Sequence, residues 1–242
     1  MAVPRPPARF AQEVEAYGIE FDPSDLDKLG EFLSLLLEAN TRFNLTAVTD
    51  PDEAWVKHVF DSLTLLPYVV SAEAGHVIDV GSGGGLPGVP LAVVLPEVDF
   101  TLLEATGKKA DFLRDVAERM DLANVDVIND RAETIAHDRE NHREQYDLVL
   151  ARAVGRLVVL AELAMPLARV GGHLAAIKGA KASKEIEEAA EALRLLHGEV
   201  VETSRTPTGT IVLIEKLRRT AKAYPRRPGE PRRAPLGVSG SR

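Results

Sequence analysis

The first seventy residues combine apolar side chains at helical spacing with signals that begin helices. A turn at residues 22–24 precedes leucines three or four positions apart, which predicts a helix that ends near Asn40. Asp50 and Pro51 then provide a helix cap and a proline at the first helical position. This second helix is predicted to run to about Leu66. The apolar positions that support the two helices are Leu26, Leu29, Leu33, Leu36 and Leu37, and then Trp55, Val59, Leu63 and Leu66.

From residue 76 onward, short apolar runs alternate with helical patterns. Five strands are predicted at residues 76–80, 98–104, 125–128, 146–151 and 173–178, with helices at about 88–95, 108–120, 156–168 and 182–197. This alternation predicts an α/β fold with a parallel, doubly wound sheet. The end of the pattern differs, because residues 200–206 and 210–217 flank a turn, which predicts an antiparallel hairpin on the sheet.

The two ends of the chain are rich in proline and arginine, so residues 1–9 and the basic tail 218–242 are predicted to be disordered. Between them we expect an N-terminal helical lid over residues 10–70 and one larger domain over residues 71–217. The net charge is −8. Nine basic residues and one acidic residue lie between Lys216 and Arg242, so this segment carries +8 and the rest of the chain −16. Such asymmetry indicates either contact with nucleic acid or a solubilising extension.

The composition excludes several kinds of chemistry. The chain has no cysteine, which rules out disulfides, thiolate metal sites and cysteine nucleophiles. His137, His142 and His197 show no metal-ligand spacing, and no metal site is predicted. No apolar run approaches the roughly 18–20 residues that cross a bilayer, and the N-terminus has no signal-peptide form, so we expect a soluble, cytoplasmic protein.

A glycine-rich loop follows the first predicted strand, over residues 79–88. Glycines at such a turn let backbone amides approach a ligand at the carboxyl edge of the sheet, and Glu104 ends the next strand, where an acid can bind ribose hydroxyls. One frame, Gly83, Gly85 and Gly88, matches a dinucleotide site and would indicate a nucleotide-dependent oxidoreductase. The other frame is the methyltransferase form, with its members at Asp79, Gly81, Gly83 and Gly85.

Several further motifs, in the same order along the chain, make the sequence resemble the ribosomal RNA small subunit methyltransferase G family, also called glucose-inhibited division protein B. The resemblance extends from about Leu33 to Leu217. The motifs are Asn44-Leu45-Thr46, Lys57-His58-x-x-Asp61-Ser62-Leu63, the loop 79–91, Lys108-Lys109, Arg131-Ala132-Glu133, Ala151-Arg152-Ala153 and Lys178-Gly179.

The resemblance implies a Rossmann-like class I methyltransferase with a seven-stranded sheet and S-adenosyl-L-methionine as cofactor. The implied reaction methylates N7 of a guanine in the 530 loop of 16S rRNA, free or in a small-subunit assembly particle. We expect a monomer. The cofactor-binding residues expected from the loop and the resemblance are Asp79, Gly81, Gly83, Gly85, Leu86, Glu104, Ala105, Thr106, Ala132, Glu133 and Arg152.

The residues are consistent with methylation of guanine N7. Methylation at C5 of a pyrimidine needs a cysteine nucleophile, which this chain lacks. Methylation of an adenine amine usually needs an Asn/Asp-Pro-Pro-aromatic motif, where this chain has Ala151-Arg152-Ala153. Guanine N7 needs no base, so positioning is sufficient. The positioning candidates are Arg152, Lys178, Asn44 and His58. Besides the oxidoreductase, a non-catalytic RNA-binding module remains an alternative to the methyltransferase.

Overall fold

A computed structural model describes residues 3–22 and 24–238. The N-terminal part is helical, as predicted, and Asp50 caps the second predicted helix because its Oδ1 accepts a hydrogen bond from the Glu53 amide at 2.8 Å. This helix is not continuous, since a π-helical turn interrupts it. The helices are α1 (Ala8–Tyr17), α2 (Asp25–Asn40), α3 (Pro51–Ala54), the π-helix (Trp55–Phe60), α4 (Asp61–Leu63) and α5 (Leu66–Ser71).

A seven-stranded sheet forms the centre of the molecule, with the strand order β3-β2-β1-β4-β5-β7-β6. All neighbours from β3 to β5 are parallel, whereas β7 is antiparallel to both β5 and β6. The predicted mostly parallel sheet with a final hairpin is therefore confirmed. The strands are β1 (His76–Val80), β2 (Asp99–Leu103), β3 (Val125–Ile128), β4 (Tyr146–Arg152), β5 (Ala168–Lys178), β6 (Gly198–Arg205) and β7 (Thr210–Lys216).

Each face of the sheet has its own hydrophobic core. Successive strand residues point to opposite faces, so Val77 packs on one side and Ile78 on the other. Helices α8, α9 and α10 cover the Ile78 face. The remaining helices are α6 (Gly88–Val94), α7 (Gly107–Arg119), α8 (Ala132–Ile135), α9 (Leu157–Ala164), α10 (Ala182–Leu196) and α11 (Glu230–Arg233).

The N-terminal helices cover the Val77 face, together with α6 and α7. Phe32 and Leu33 of α2 belong to the same core as Phe100 and Leu102 of β2. Residues on both sides of the predicted boundary at position 70 are thus buried against each other. The two parts therefore share a hydrophobic core. That residues 10–70 act as a lid on the larger domain stays a prediction.

The N-terminus is packed where the sequence predicted disorder. Helix α1 begins at Ala8, and residues 3 and 4 lie against α2. A Cβ atom on Gly30 would be 2.6 Å from the Pro4 carbonyl oxygen, so the glycine permits this close approach. Met1 and Ala2 lie outside the described residues.

The basic tail is also packed, which corrects the prediction of disorder for residues 218–238. The buried Arg143 guanidinium donates hydrogen bonds to the carbonyl oxygens of Thr220, Ala221 and Tyr224, at 2.9–3.1 Å. Leu236 is buried in the core of the Ile78 face. Composition predicts disorder because it counts prolines and charges, whereas here the buried Glu162 pairs with Arg226 and the buried Arg143 binds the backbone of the tail. Residues 239–242 lie outside the described part.

Among residues 3–22 and 24–238, no helix has the length and apolar character needed to cross a membrane. Within the same ranges, no three His, Asp or Glu side chains are arranged to hold a metal ion.

Candidate active site

The glycine-rich loop leaves β1 at the carboxyl edge of the sheet. Gly81, Gly83 and Gly85 have φ values of +76°, +57° and +86°, a region in which residues with a Cβ are strained. The amides of Gly81 and Ser82 both donate to the Leu103 carbonyl oxygen, at 2.8 and 3.1 Å. The loop is therefore fixed to the end of the neighbouring strand β2.

Three glycines of this loop have a packing role. A Cβ on Gly84 would be 2.9 Å from Leu36 Cδ1, and one on Gly85 would be 2.8 Å from Val89 Cγ2. On Gly88 it would be only 2.3 Å from a buried Leu102 methyl carbon. Gly85 and Gly88, two of the three glycines of the dinucleotide frame, thus serve close packing, so the glycine spacing alone does not distinguish the two frames.

Asp79 lies beneath the loop and is completely buried. Its Oδ2 accepts a hydrogen bond from the Gly88 amide at 3.1 Å, at the start of α6. Burial raises the pKa of this carboxyl to about 7, although the bond from Gly88 opposes the shift. Asp79 therefore supports the loop from below and does not reach the cavity on the other side.

A cavity of about 660 Å³ lies above the carboxyl ends of β1, β2 and β4. This volume falls within the roughly 300–1,000 Å³ that is usual for small-molecule sites. Four residues predicted to bind the cofactor line it, namely Gly81, Ala105, Ala132 and Glu133. Lining residues that the sequence analysis missed are Val80, Leu103, Asp130, Arg131, Ala153, Val154, Gly155, Arg156, Val159, Leu163, Pro231, Arg232 and Pro235.

The shape and chemistry of this cavity fit an adenosine-type cofactor. Leu103, Ala105 and Ala132 provide an apolar surface, and Asp130 and Glu133 provide carboxylates at its edge. At Gly81 a Cβ would come within 3.1 Å of Val154 Cγ2. The bare backbone at this position keeps the floor of the cavity open.

Glu104 connects the glycine loop to the turn after β2. Its Oε2 accepts from the Gly83 amide at 3.0 Å and its Oε1 from the Thr106 amide at 2.7 Å. Asn129 then donates to the Glu104 carbonyl oxygen at 2.8 Å. Glu104 is buried and Leu86 is half-buried. Direct contact of Glu104, Thr106 or Leu86 with a cofactor stays a prediction.

Arg152 directs its side chain toward the N-terminal helices, whereas Ala153 and Val154 beside it line the cavity. Its Nε lies 3.0 Å from Asp61 Oδ2, and its Nη2 donates to the Lys57 carbonyl oxygen at 2.9 Å. Nη2 also lies 3.1 Å from His58 Nδ1. These contacts hold the guanidinium in one orientation, and its buried Nη1 has no partner among the described residues.

The π-helix places His58 and Asp61 around Arg152. Wide turns of this kind are frequent at functional sites. His58 Nε2 lies 2.7 Å from the Thr46 hydroxyl, and the Asp61 Oδ1 accepts a hydrogen bond from Thr208 at the tip of the β6–β7 hairpin. Burial raises the pKa of Asp61, and Arg152 and Thr208 oppose that shift. Asp61 and Thr208 were not predicted as site residues, because nothing in the local sequence places either beside Arg152.

His58 is neutral at physiological pH. Burial, and to a smaller extent the nearby Arg152 charge, lower its pKa to about 4. Since the folded-state pKa lies below the unfolded value of about 6.5, this group stabilises the fold above pH 6.5. That contribution is lost as the pH falls from about 6.5 toward 4.

We expect His58→Gln to reduce this pH dependence. Between pH 7.5 and pH 5, the free energy of unfolding should fall by about 2 kcal/mol less in His58→Gln than in the unmodified protein. Urea unfolding at the two pH values measures the difference. The same substitution at the exposed His76 is the control and should leave the full dependence in place. An unchanged dependence in His58→Gln would contradict a buried neutral histidine.

Lys178 and Asn44 have different surroundings from Arg152. Lys178 Nζ donates to the Gly155 carbonyl oxygen and lies 2.7 Å from Glu185 Oε2, so it holds the loop after β4. Asn44 is exposed. Its loop is shaped by Asn40, whose Oδ1 accepts from the amides of Leu45 and Thr46 at 2.8 and 2.9 Å.

Comparison with known sequences gives a consistent result over most of the chain. The family model described as rRNA small subunit methyltransferase G matches residues 25–212. A relative from Halalkalibacterium halodurans, named ribosomal RNA small subunit methyltransferase G, is 42% identical over 94% of this chain and 98% of its own length. One of the same name from Sorangium cellulosum is 45% identical over 92% of each chain.

A solved structure shares the fold at lower sequence identity. The O-methyltransferase from Bacillus cereus, determined in complex with SAH, has a TM-score of 0.57 and 22% identity. The similarity covers 85% of this chain and 96% of the other. This similarity shows that the two chains share a fold.

Proposed function

We propose that this chain, which belongs to the rRNA small subunit methyltransferase G family, methylates N7 of a guanine in the 530 loop of 16S rRNA. The match over residues 25–212 is the observation that carries this proposal. It supports a 16S rRNA methyltransferase that uses S-adenosyl-L-methionine. The choice of guanine N7 rests on the arrangement around Arg152 together with the resemblance noted from the sequence.

The cavity at the ends of β1, β2 and β4 is the cofactor site of this proposal. Gly81, Ala105, Ala132 and Glu133 would hold the cofactor there. The bound cofactor supplies a methyl group that its sulfonium charge has already activated. The residues of the chain then have two tasks, which are to orient the acceptor base and to keep it next to the cavity.

Guanine N7 is an acceptor that suits the side chains at this edge. It carries a lone pair and no proton, so its methylation requires no proton acceptor. Both ring nitrogens of His58 already have partners. Nε2 contacts the Thr46 hydroxyl, and Nδ1 contacts Arg152 Nη2 and the Lys57 carbonyl oxygen. The Asp61 carboxylate is bound by Arg152 and Thr208. The site supports a reaction driven by positioning, in which neither group removes a proton.

Arg152 is the residue that we assign to the acceptor base. The O6 atom of guanine adjoins N7, and arginine is the usual hydrogen-bond donor to this edge. Nη1 of Arg152 has no hydrogen-bond partner among the described residues, and because this atom is buried, the bond requires a displacement of its surroundings when the base binds. Asp61 and His58 act as positioning residues through Arg152. Lys178 contributes by holding the Gly155 carbonyl, and the exposed Asn44 contacts rRNA.

The rim of the cavity has a charge that fits an RNA substrate. Arg131 and Arg156 both line the cavity, and about half of each side chain is exposed. Arg131 lies 3.5 Å from Glu133 and Arg156 lies 2.8 Å from Glu188, so phosphates would compete with these exposed ion pairs. Cations in this position attract phosphates, so binding should weaken as salt increases. We place the reaction in the cytoplasm and expect a monomeric enzyme, which acts on the rRNA or on a small-subunit assembly particle.

The test is to map N7-methylguanine in 16S rRNA from a strain that lacks the protein. Reduction followed by aniline cleaves RNA at N7-methylguanine, and primer extension locates the cut. We expect the signal in the 530 loop to disappear and to return when the gene is restored. A signal that persists in the deletion strain would overturn the proposed reaction.

Calorimetry distinguishes this proposal from the oxidoreductase alternative. The purified protein should bind S-adenosylhomocysteine and not NAD. Incubation of purified protein with naked 16S rRNA, and separately with small subunits from the deletion strain, identifies the substrate form. Binding of 16S rRNA without methyl transfer to either form would favour a non-catalytic RNA-binding module.

A further inference from the structure

The C-terminal segment over residues 224–238, here called the clasp, runs along the Ile78 face of the sheet and reaches the cofactor cavity. It begins where Arg143 binds the Tyr224 carbonyl oxygen at 2.9 Å. From there it passes α9 and α8. Pro231, Arg232 and Pro235 of the clasp line the same cavity as Gly81 and Ala132.

A buried ion pair anchors the clasp to α9. Glu162 is completely buried, and its Oε1 accepts from both the backbone amide and Nε of Arg226, each at 2.8 Å. Its Oε2 accepts from Arg226 Nη2 at 2.6 Å. An ionised carboxylate that is completely buried destabilises the folded protein unless its positively charged partner is in place. Arg226 is therefore an anchor of the clasp, and it is not free to bind RNA.

A second anchor involves the cofactor site itself. Glu133 lines the cavity, and its Oε1 accepts a hydrogen bond from the Gly229 amide at 2.8 Å. His137 Nε2 lies 2.9 Å from the Pro225 carbonyl oxygen. Docking of the clasp thus fixes the position of a residue expected to bind the cofactor.

We propose that the clasp is part of the cofactor site, with Pro231, Arg232 and Pro235 in contact with bound S-adenosyl-L-methionine. The inference rests on the proposed function, because it takes this cavity to be the cofactor site. Pro231 is buried and Pro235 half-buried, and with the side-chain stem of Arg232 they form one wall. Because the same contacts form or break together, docking of the clasp and binding of the cofactor must strengthen each other by an equal factor.

Undocking the clasp should weaken cofactor binding. In the full-length double variant Glu162→Leu with Arg226→Ala, both charges are removed, so that no unpaired buried charge remains. We expect its affinity for S-adenosylhomocysteine to fall about tenfold, which corresponds to roughly 60 Å² of apolar cofactor surface left uncovered. Calorimetry measures the affinity, and far-UV circular dichroism verifies that the variant is folded.

Two single variants of α11 form a matched pair. Both arginines are exposed, but Arg232 lines the cavity and its neighbour Arg233 does not. We expect Arg232→Ala to weaken binding of S-adenosylhomocysteine three- to tenfold and Arg233→Ala to leave it within twofold. Equal effects of the two substitutions would contradict a contact specific to Arg232.

Proteolysis gives a readout that is independent of affinity and activity. The bond between Arg233 and Ala234 lies in the clasp, and we expect trypsin to cut it faster when the clasp is released, because cleavage requires local unfolding of the segment. Saturating S-adenosylhomocysteine should slow this cut by about tenfold in the unmodified protein, because the ligand favours the docked clasp by the same factor by which docking strengthens binding. An unchanged rate of cleavage at saturating S-adenosylhomocysteine would contradict the proposed contact between the clasp and the cofactor.

The outcomes for the clasp and for the proposed function are separable. If the unmodified protein does not bind S-adenosylhomocysteine, the proposed function fails. If the unmodified protein binds S-adenosylhomocysteine and the folded double variant binds it equally well, the clasp is not part of the cofactor site and the proposed function stands.

Discussion

Replacing Arg152 by alanine is expected to lower kcat/KM for methyl transfer to 16S rRNA by about 100-fold, the loss typical of a misplaced reacting group. The guanidinium is held by Asp61, His58 and the Lys57 carbonyl oxygen, so no neighbouring cation can replace it. Arg152→Lys should recover only part of the rate, since an ammonium cannot reproduce the forked geometry. Transfer of labelled methyl groups to 16S rRNA or small subunits measures both variants.

A matched control is available at the opposite edge of the sheet. Arg169 pairs with Asp147 at 2.6 Å, near the start of β5, so Arg169→Ala removes a similar ion pair away from the site. We expect this variant to keep full activity. The affinity for S-adenosylhomocysteine separates two roles of Arg152. If Arg152→Ala weakens that affinity as much as it slows methyl transfer, Arg152 acts on the cofactor and our assignment to the base is wrong.

Gly88→Ala is expected to lower the free energy of unfolding by about 2–3 kcal/mol. The new Cβ would be 2.3 Å from Leu102 Cδ2 and 3.0 Å from Asp79 Oδ2. Both side chains are completely buried, so neither can move aside without disturbing the core. Thermal unfolding should show a decrease in Tm of roughly 5–10 °C for a chain of this size.

The control for this substitution is Gly179→Ala. A Cβ at position 179 meets no atom within 4 Å, so the free energy of unfolding should change by less than about 0.5 kcal/mol. If Gly88→Ala is as stable as Gly179→Ala, the close packing of α6 against β2 is not the reason for the glycine.

The sheet could be predicted from the sequence because its signals are local. Each strand is a short apolar run bounded by turn residues, and the bounds of β1 and β3 agree with those predicted. Strand β5 begins at Ala168, five residues before the predicted start, because Gly171 and Gly172 interrupt the apolar run. Helix α1 was missed, since it lies next to prolines and lacks a capping side chain.

Contacts between distant positions could not be predicted in this way. Glu162 and Arg226 are 64 positions apart, and each looks like an ordinary surface residue in its local sequence. The pairing of Asp61 with Arg152 is a similar case. The glycine loop is a different case, because the motif is visible in the sequence but the role of each glycine is not. Its pattern indicated the carboxyl edge of the sheet, where the structure has a cavity. The packing role of Gly84, Gly85 and Gly88 becomes visible only when Leu36, Val89 and Leu102 are in place.

The core shared by α2 and the sheet has a consequence for synthesis on the ribosome. The leucine face of α2 is translated well before Phe100 and Leu102 of β2, against which it is buried. At roughly 5–20 residues per second, several seconds separate the two. During that interval the nascent helices expose an apolar face that has no partner yet. Chaperones that shield such faces should therefore matter most for this protein while its first hundred residues are being made.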